Sequence, residues 1–161
     1  QLFWGEPLAD VAERIARLKR LSETLDRDAP PLEFGLRVTT VVRESSEAAW
    51  AAAHAKIEAM RTSNPRRFDE RSQTAAVGQQ RLHDLRARGE VLDQSQFTLP
   101  GTLGGTGAGT TWLVGSAQEV AQSLQAYQAL GITHFVLSDT PYLQEIQRQG
   151  QHLLPLLRAA L

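Results

Sequence analysis

Cysteine is absent from this 161-residue sequence, which excludes disulfides, thiolate metal sites and a cysteine nucleophile from it. Long apolar runs are missing too: no stretch approaches the ~18 consecutive apolar residues of a membrane span, so a soluble protein that does not engage a membrane is expected. An excess of either charge is also lacking. Seventeen Lys and Arg offset eighteen Asp and Glu for a net charge of −1, which argues against a nucleic-acid surface built on bulk positive charge. The basic residues Arg14, Arg17, Lys19 and Arg20 are interleaved with Glu13 and Glu23 and read as a solvated helix face. The four histidines, His54, His83, His134 and His152, have no metal-ligand spacing among them, so no metal is expected. The run Gly101 to Thr110 is rich in glycine but lacks a following Gly-Lys-Ser/Thr, so neither a phosphate loop nor a dinucleotide fingerprint is met. Nothing at the N-terminus resembles a signal peptide, which makes the cytoplasm the expected location.

What the sequence does contain is alternation of helical and strand patterns, the grammar of βαβ units and a parallel sheet. Gln1 to Pro7 reads as the end of a strand running straight into a helix, with no initiator Met, as expected for part of a larger α/β domain. The first helix is predicted from about Glu6 to Asp26, with Pro7 at its first position and Val11, Ile15, Leu18, Leu21 and Leu25 on one face. A strand follows, from about Leu32 to Val42, and then a helix capped by Ser45 or Ser46 with Trp50, Ala53, Ile57 and Met60 on its buried side.

Periodicity decays from residue 61 to 110, where only a short helix, Val77 to Arg88, is predicted; a connection this long is expected to be an insertion or lid. Regularity returns with the strand Thr111 to Val114, the capping box Ser116-Ala117-Gln118-Glu119, and a helix lined by Val120, Leu124, Tyr127 and Leu130 that Gly131 stops. The strand His134 to Ser138 and a last helix from Pro141, carrying Leu143, Ile146, Leu153, Leu154 and Leu157, complete four strand–helix units. At roughly 30 residues per unit and about 250 for a complete (β/α)8 TIM barrel, the expected fold is α/β, about half of such a barrel plus an insertion.

In such a barrel the chemistry sits at the C-terminal ends of the strands. The candidates are therefore Trp4, Gly5 and Glu6; Arg37, Thr39 and Val41; Gly115 and Ser116; and Ser138, Asp139 and Thr140. Alternation places Gly35, Arg37, Thr39 and Val41 on one face of the second strand and Phe34, Leu36, Val38 and Val42 on the other. The apolar set must face the helices, which leaves Arg37 pointing into the barrel. There it needs an anion or a carboxylate, and Glu33 is the plainest internal partner.

These residues carry a resemblance. Trp4-Gly5-Glu6-Pro7, Phe34-Gly35-Leu36-Arg37, Val42-Arg43-Glu44, Glu47-Ala48-Ala49-Trp50, Val77-Gly78-Gln79-Gln80-Arg81, Gly107-Ala108-Gly109-Thr110, Leu113-Val114-Gly115 and Leu130-Gly131-Ile132 with Phe135-Val136-Leu137-Ser138 stand in the order and spacing of the bacterial luciferase-like flavin-dependent monooxygenases. Within that family the sequence most resembles the C-terminal half of the alkanesulfonate monooxygenases. The resemblance implies a two-component system: an NAD(P)H-dependent flavin reductase supplies reduced FMN, O2 is the co-substrate, and a small sulfonate is cleaved to an aldehyde and sulfite. It also implies a homo-oligomer.

By the same resemblance Arg37 contacts substrate or oxidant, Trp4 and Ser138 lie beside the flavin, and Gly104, Gly105 and Gly107 belong to a mobile lid. Three positions depart from the family pattern. Thr39 replaces a histidine, Thr140 replaces a tyrosine that Tyr142 follows two residues later, and Gly104-Gly105 stand where the lid carries an arginine. Threonine cannot accept and return a proton near neutral pH, so these departures imply a different substrate, an altered arrangement of Thr39 and Thr140, or lost activity.

Overall fold

Four parallel strands form the centre of the computed structural model, which describes residues 1–25, 28–63, 77–103 and 110–159. They are β1 (Leu2–Trp4), β2 (Phe34–Arg43), β5 (Trp112–Ser116) and β6 (Ile132–Ser138). Helix α1 (Leu8–Thr24) joins β1 to β2, α2 (Ser46–Ser63) follows β2, and α5 (Ala117–Ala129) joins β5 to β6. Between α2 and β5 stand α3 (Val77–Arg88), the strands β3 (Val91–Leu92) and β4 (Gln96–Phe97), and a single helical turn, α4 (Leu99–Thr102). The sequence pattern gave no sign of the β3–β4 hairpin. Its turn takes Asp93 and Gln94 to φ of 45° and 69°, and β4 adds antiparallel to β5.

Register sets the order of the strands. Arg37 pairs with Trp4 and also with Val136, and Thr39 pairs with Trp112 and also with Ser138. A strand has only two edges, so β6 occupies one edge of β2, while β1 and β5 share the other, end to end. Where β1 ends and β5 begins, the Gly5 N–H donates to Thr110 Oγ1 at 3.1 Å and Thr111 Oγ1 donates to the Gly5 carbonyl at 2.7 Å. The sheet is open, and its last strand lies against β2 rather than against β5 as in a barrel's sequential order.

The helices follow from this order. The steps β1 to β2 and β5 to β6 run in one direction across the sheet and β2 to β5 in the other, so right-handed crossovers must put α2 on the face opposite α1 and α5. The packing agrees. Phe3, Phe34, Leu36, Val38, Val42, Leu113 and Ile132 meet Val11 and Ile15 of α1 and Val120, Leu124 and Tyr127 of α5. On the other face Val41, Trp112 and Val114 meet Ala49, Ala53 and Ile57 of α2, with Phe97 beside them.

The expected last helix is broken into α6 (Tyr142–Arg148), a π-helical turn over Gln149–Leu153, and α7 (Leu154–Arg158). Pro155 lacks the N–H that a continuous helix would require there, and the chain widens by one residue per turn just before it. As a result Leu153 is fully buried while Leu143 and Ile146 are exposed at 71% and 59%. The capping box of α5 is formed as the spacing predicts, and Gly131 ends that helix with φ of +104°.

Candidate functional site

The face of the sheet bearing Arg37, Thr39 and Val41 is only half covered. Helix α2 lies over Val41, Trp112 and Val114, and Thr39 beside them is buried. One rung toward the start of the strands the face is open: Trp4, Arg37 and Val136 stand in register across β1, β2 and β6, with Trp4 37% and Val136 47% exposed. Next to this rung Thr39 Oγ1 and Ser138 Oγ approach to 3.4 Å. Four of the residues singled out in the sequence, Trp4, Arg37, Thr39 and Ser138, are thus gathered on one surface by strand register alone.

Arg37 differs from expectation in its surroundings. An enclosed barrel interior would have desolvated it, but the open sheet leaves its side chain exposed, and among the described residues it has no ion-pair partner. Glu33 lies instead 3.9 Å from His134, itself exposed. Thr140 and Tyr142 do not join the rung. Thr140 is exposed, donates its backbone N–H to Asp139 Oδ1 at 2.7 Å and precedes a cis peptide bond to Pro141; Tyr142 opens α6 and is 60% exposed. Gly104, Gly105 and Gly107 lie outside the described residues.

Two ionic networks flank this face. At the carboxyl ends of β2 and β6, Arg43 forks onto Glu145 of α6 at 2.9 and 3.0 Å, and Lys56 of α2 reaches both oxygens of buried Asp139 at 2.5 and 2.6 Å. Burial pushes the Asp139 carboxyl above the ordinary range, while Lys56 pulls it back. Asp139 was legible as a strand-end candidate, but Lys56 and Glu145 were not. A lone lysine in the alanine-rich stretch of α2 was the only available signal.

The second network lies after β1. Buried Glu6 accepts from Arg14 at 2.8 Å and from a two-pronged Arg81 at 2.9 and 2.9 Å, and the buried Tyr127 hydroxyl donates to the Glu6 carbonyl at 2.6 Å. Arg81 and Gly78 come from the Val-Gly-Gln-Gln-Arg segment that forms part of the family resemblance. Gly78 packs directly on the Trp4 ring: a Cβ there would lie 2.9 Å from Trp4 Cζ3. A cavity of about 220 Å³ beside this network is lined by Glu6, Asp10, Arg81, Asp84, Leu85 and Arg88.

The model of the luciferase-like monooxygenases matches residues 1–134. The chain belongs to that family. Among solved structures, a riboflavin lyase determined with modified FMN and its substrate riboflavin aligns at a TM-score of 0.65 and 17% identity. That alignment covers 99% of this chain and 38% of the lyase, so the chain spans well under half the length of this structural relative. For a family member the open rung has the right chemistry for FMN: an aromatic surface at Trp4, an apolar neighbour in Val136, and a guanidinium at Arg37 with no carboxylate to satisfy it among the described residues, with the hydroxyls of buried Thr39 and of Ser138 next to it.

Proposed function

We propose that this chain carries part of the site of an FMN-dependent monooxygenase acting on alkanesulfonates, with reduced FMN delivered by a separate NAD(P)H-dependent flavin reductase. In this reading the protein is a cytoplasmic homo-oligomer, and residues 61–110 contribute a lid. Among the described residues no helix is long and apolar enough to cross a membrane. The supporting observation is the rung of Trp4, Arg37 and Val136, which sets a cation with no ion-pair partner among the described residues between an aromatic and an aliphatic side chain on an open sheet face. A sulfonate with an alkyl tail asks for that pairing: charge-assisted hydrogen bonds for the head and apolar surface for the chain.

Reduced FMN, when bound, supplies the two electrons that activate O2. Overall the C–S bond breaks, one oxygen atom goes to the carbon to give the aldehyde, the other leaves as water, and sulfite and a proton are released as FMN is oxidised. Arg37 holds the anionic head, Trp4 packs the flavin and keeps water from its face, and the Thr39 and Ser138 hydroxyls orient polar groups beside Arg37. The test is sulfite release from 1-octanesulfonate under air with flavin reductase, FMN and NADH. Arg37→Ala is expected to lower kcat/KM roughly 10- to 150-fold, the scale of one lost hydrogen bond to a charged group.

A second reading is favoured by one observation. Thr39 Oγ1 has Ser138 Oγ as its one side-chain hydrogen-bond partner among the described residues, with no imidazole at position 39 where the family pattern has one. The protein would then bind flavin while acting on another sulfur compound or a hydrocarbon, or without catalysis. FMN binding with no sulfite from sulfonates of several chain lengths would select it.

A further inference from the structure

We propose that α3 is the positioning element for the Trp4 indole, through Gly78 and Arg81. The inference rests on the reading that Trp4 packs the flavin. Strand β1 is only three residues long and Trp4 is its last, so the strand alone holds the ring weakly. Helix α3 adds support at two points.

The first point is contact. A Cβ on Gly78 would lie 2.9, 3.3 and 3.5 Å from Cζ3, Cη2 and Cε3 of Trp4, so the helix backbone itself forms the wall against which the six-membered ring rests. The second is anchoring. One helical turn later Arg81 closes a two-pronged bond on Glu6, two residues beyond Trp4, at 2.9 and 2.9 Å. Glu6 is in turn fixed by Arg14 of α1 and, through its carbonyl, by Tyr127 of α5. The helix that touches the ring is therefore tied to the same short segment that carries the ring, and the indole is held at one tilt on the rung it shares with Arg37 and Val136. Trp4 remains 37% exposed, so a ligand can reach its free surface.

Gly78→Ala separates positioning from stability because the two predict opposite signs. Replacing a helical glycine by alanine ordinarily stabilises, whereas here the methyl must push the indole aside. The three tryptophans are labelled as 5-fluorotryptophan, the Trp4 resonance is assigned with Trp4→Phe, and FMN affinity is measured by titration. In Gly78→Ala the Trp4 19F resonance is expected to shift while the other two stay, and Kd for FMN to rise about fivefold, the scale of one aromatic contact, with Tm unchanged or higher. Arg81→Lys, which keeps the charge but loses the fork, is expected to act in the same direction.

An unmoved Trp4 resonance in both variants would overturn the proposal, as would, in Gly78→Ala, loss of FMN affinity in step with a lower Tm. Failure of the underlying reading looks different: Trp4→Ala would then bind FMN as tightly as the parent, whatever the fluorine spectra show.

Discussion

Glu119 shows how a single side chain closes a helix start. Its carboxylate accepts the Ser116 backbone N–H at 2.7 Å, and Ser116 Oγ accepts the Glu119 N–H at 3.3 Å, so two donors that α5 would otherwise leave unpaired are satisfied. The Ser116 backbone N–H, and then its hydroxyl, hold the Glu119 carboxyl below the usual carboxylate range. A depressed acid stabilises the fold above its unfolded pKa, and that stabilisation is lost as pH falls through the lower folded value. Ser116→Ala should therefore cost about 1 kcal/mol at neutral pH in urea unfolding, and the difference from the parent should narrow once pH drops below the ordinary carboxylate range. A gap that stays constant into strong acid would show that the Ser116 hydroxyl takes no part in holding the Glu119 carboxylate, whose bond to the Ser116 backbone N–H the substitution keeps. This device was legible in the sequence because both partners lie three residues apart. The face that Arg37 shares with Thr39 and Val41 was legible as well, since strand alternation needs only local spacing; the pairing of Arg37 with Trp4 across β1 and β2 was not.

At the scale of elements, the contacts that join α2, β2, β6 and α6 run between residues far apart in sequence. Lys56 and Asp139 are 83 positions apart, and Arg43 and Glu145 are 102. No spacing rule reaches that distance, so the network had to be seen. It explains how the covered half of the sheet face is held shut: Lys56 fastens α2 to the end of β6, and Glu145, 3.9 Å from Lys56, extends the same cluster to Arg43. Because burial lifts the Asp139 carboxyl and Lys56 offsets it, the sign of the pH effect is fixed. A raised acid carries an unfavourable contribution above its folded pKa that is relieved as pH falls through it toward the unfolded value. Lys56→Met removes the offset, and is expected to destabilise by about 3 kcal/mol at neutral pH and by distinctly less at mildly acidic pH, as the solution approaches the raised range in which Asp139 takes up a proton. Urea midpoints at the two pH values check this. An equal loss at both would mean that Asp139 is not the group left exposed to the desolvation cost.

For the molecule as a whole, the number of βα units and the alternation along β2 could be read from the sequence, but which strand neighbours β6 could not. That choice depends on how much apolar surface each arrangement buries across the entire sheet, a quantity no local pattern contains. The arrangement reached leaves a consequence. Among the described strands β6 pairs only with β2, so its outer edge presents unpaired backbone groups. Close to that edge are Val136 at 47% exposure and, on α6, Tyr142, Leu143 and Ile146 at 60, 71 and 59%. On the open face Leu2 adds 49% to the surface of Trp4. An unprotected edge flanked by apolar side chains is a template for pairing with another copy. The 17.7 kDa chain is therefore expected to self-associate, with a light-scattering mass that rises with concentration. Val136→Lys combined with Ile146→Glu should lower that mass by placing charge on the strand edge and on the neighbouring helix. A parent mass of 17.7 kDa that holds across a hundredfold range of concentration would show that the edge and the apolar patch do not associate.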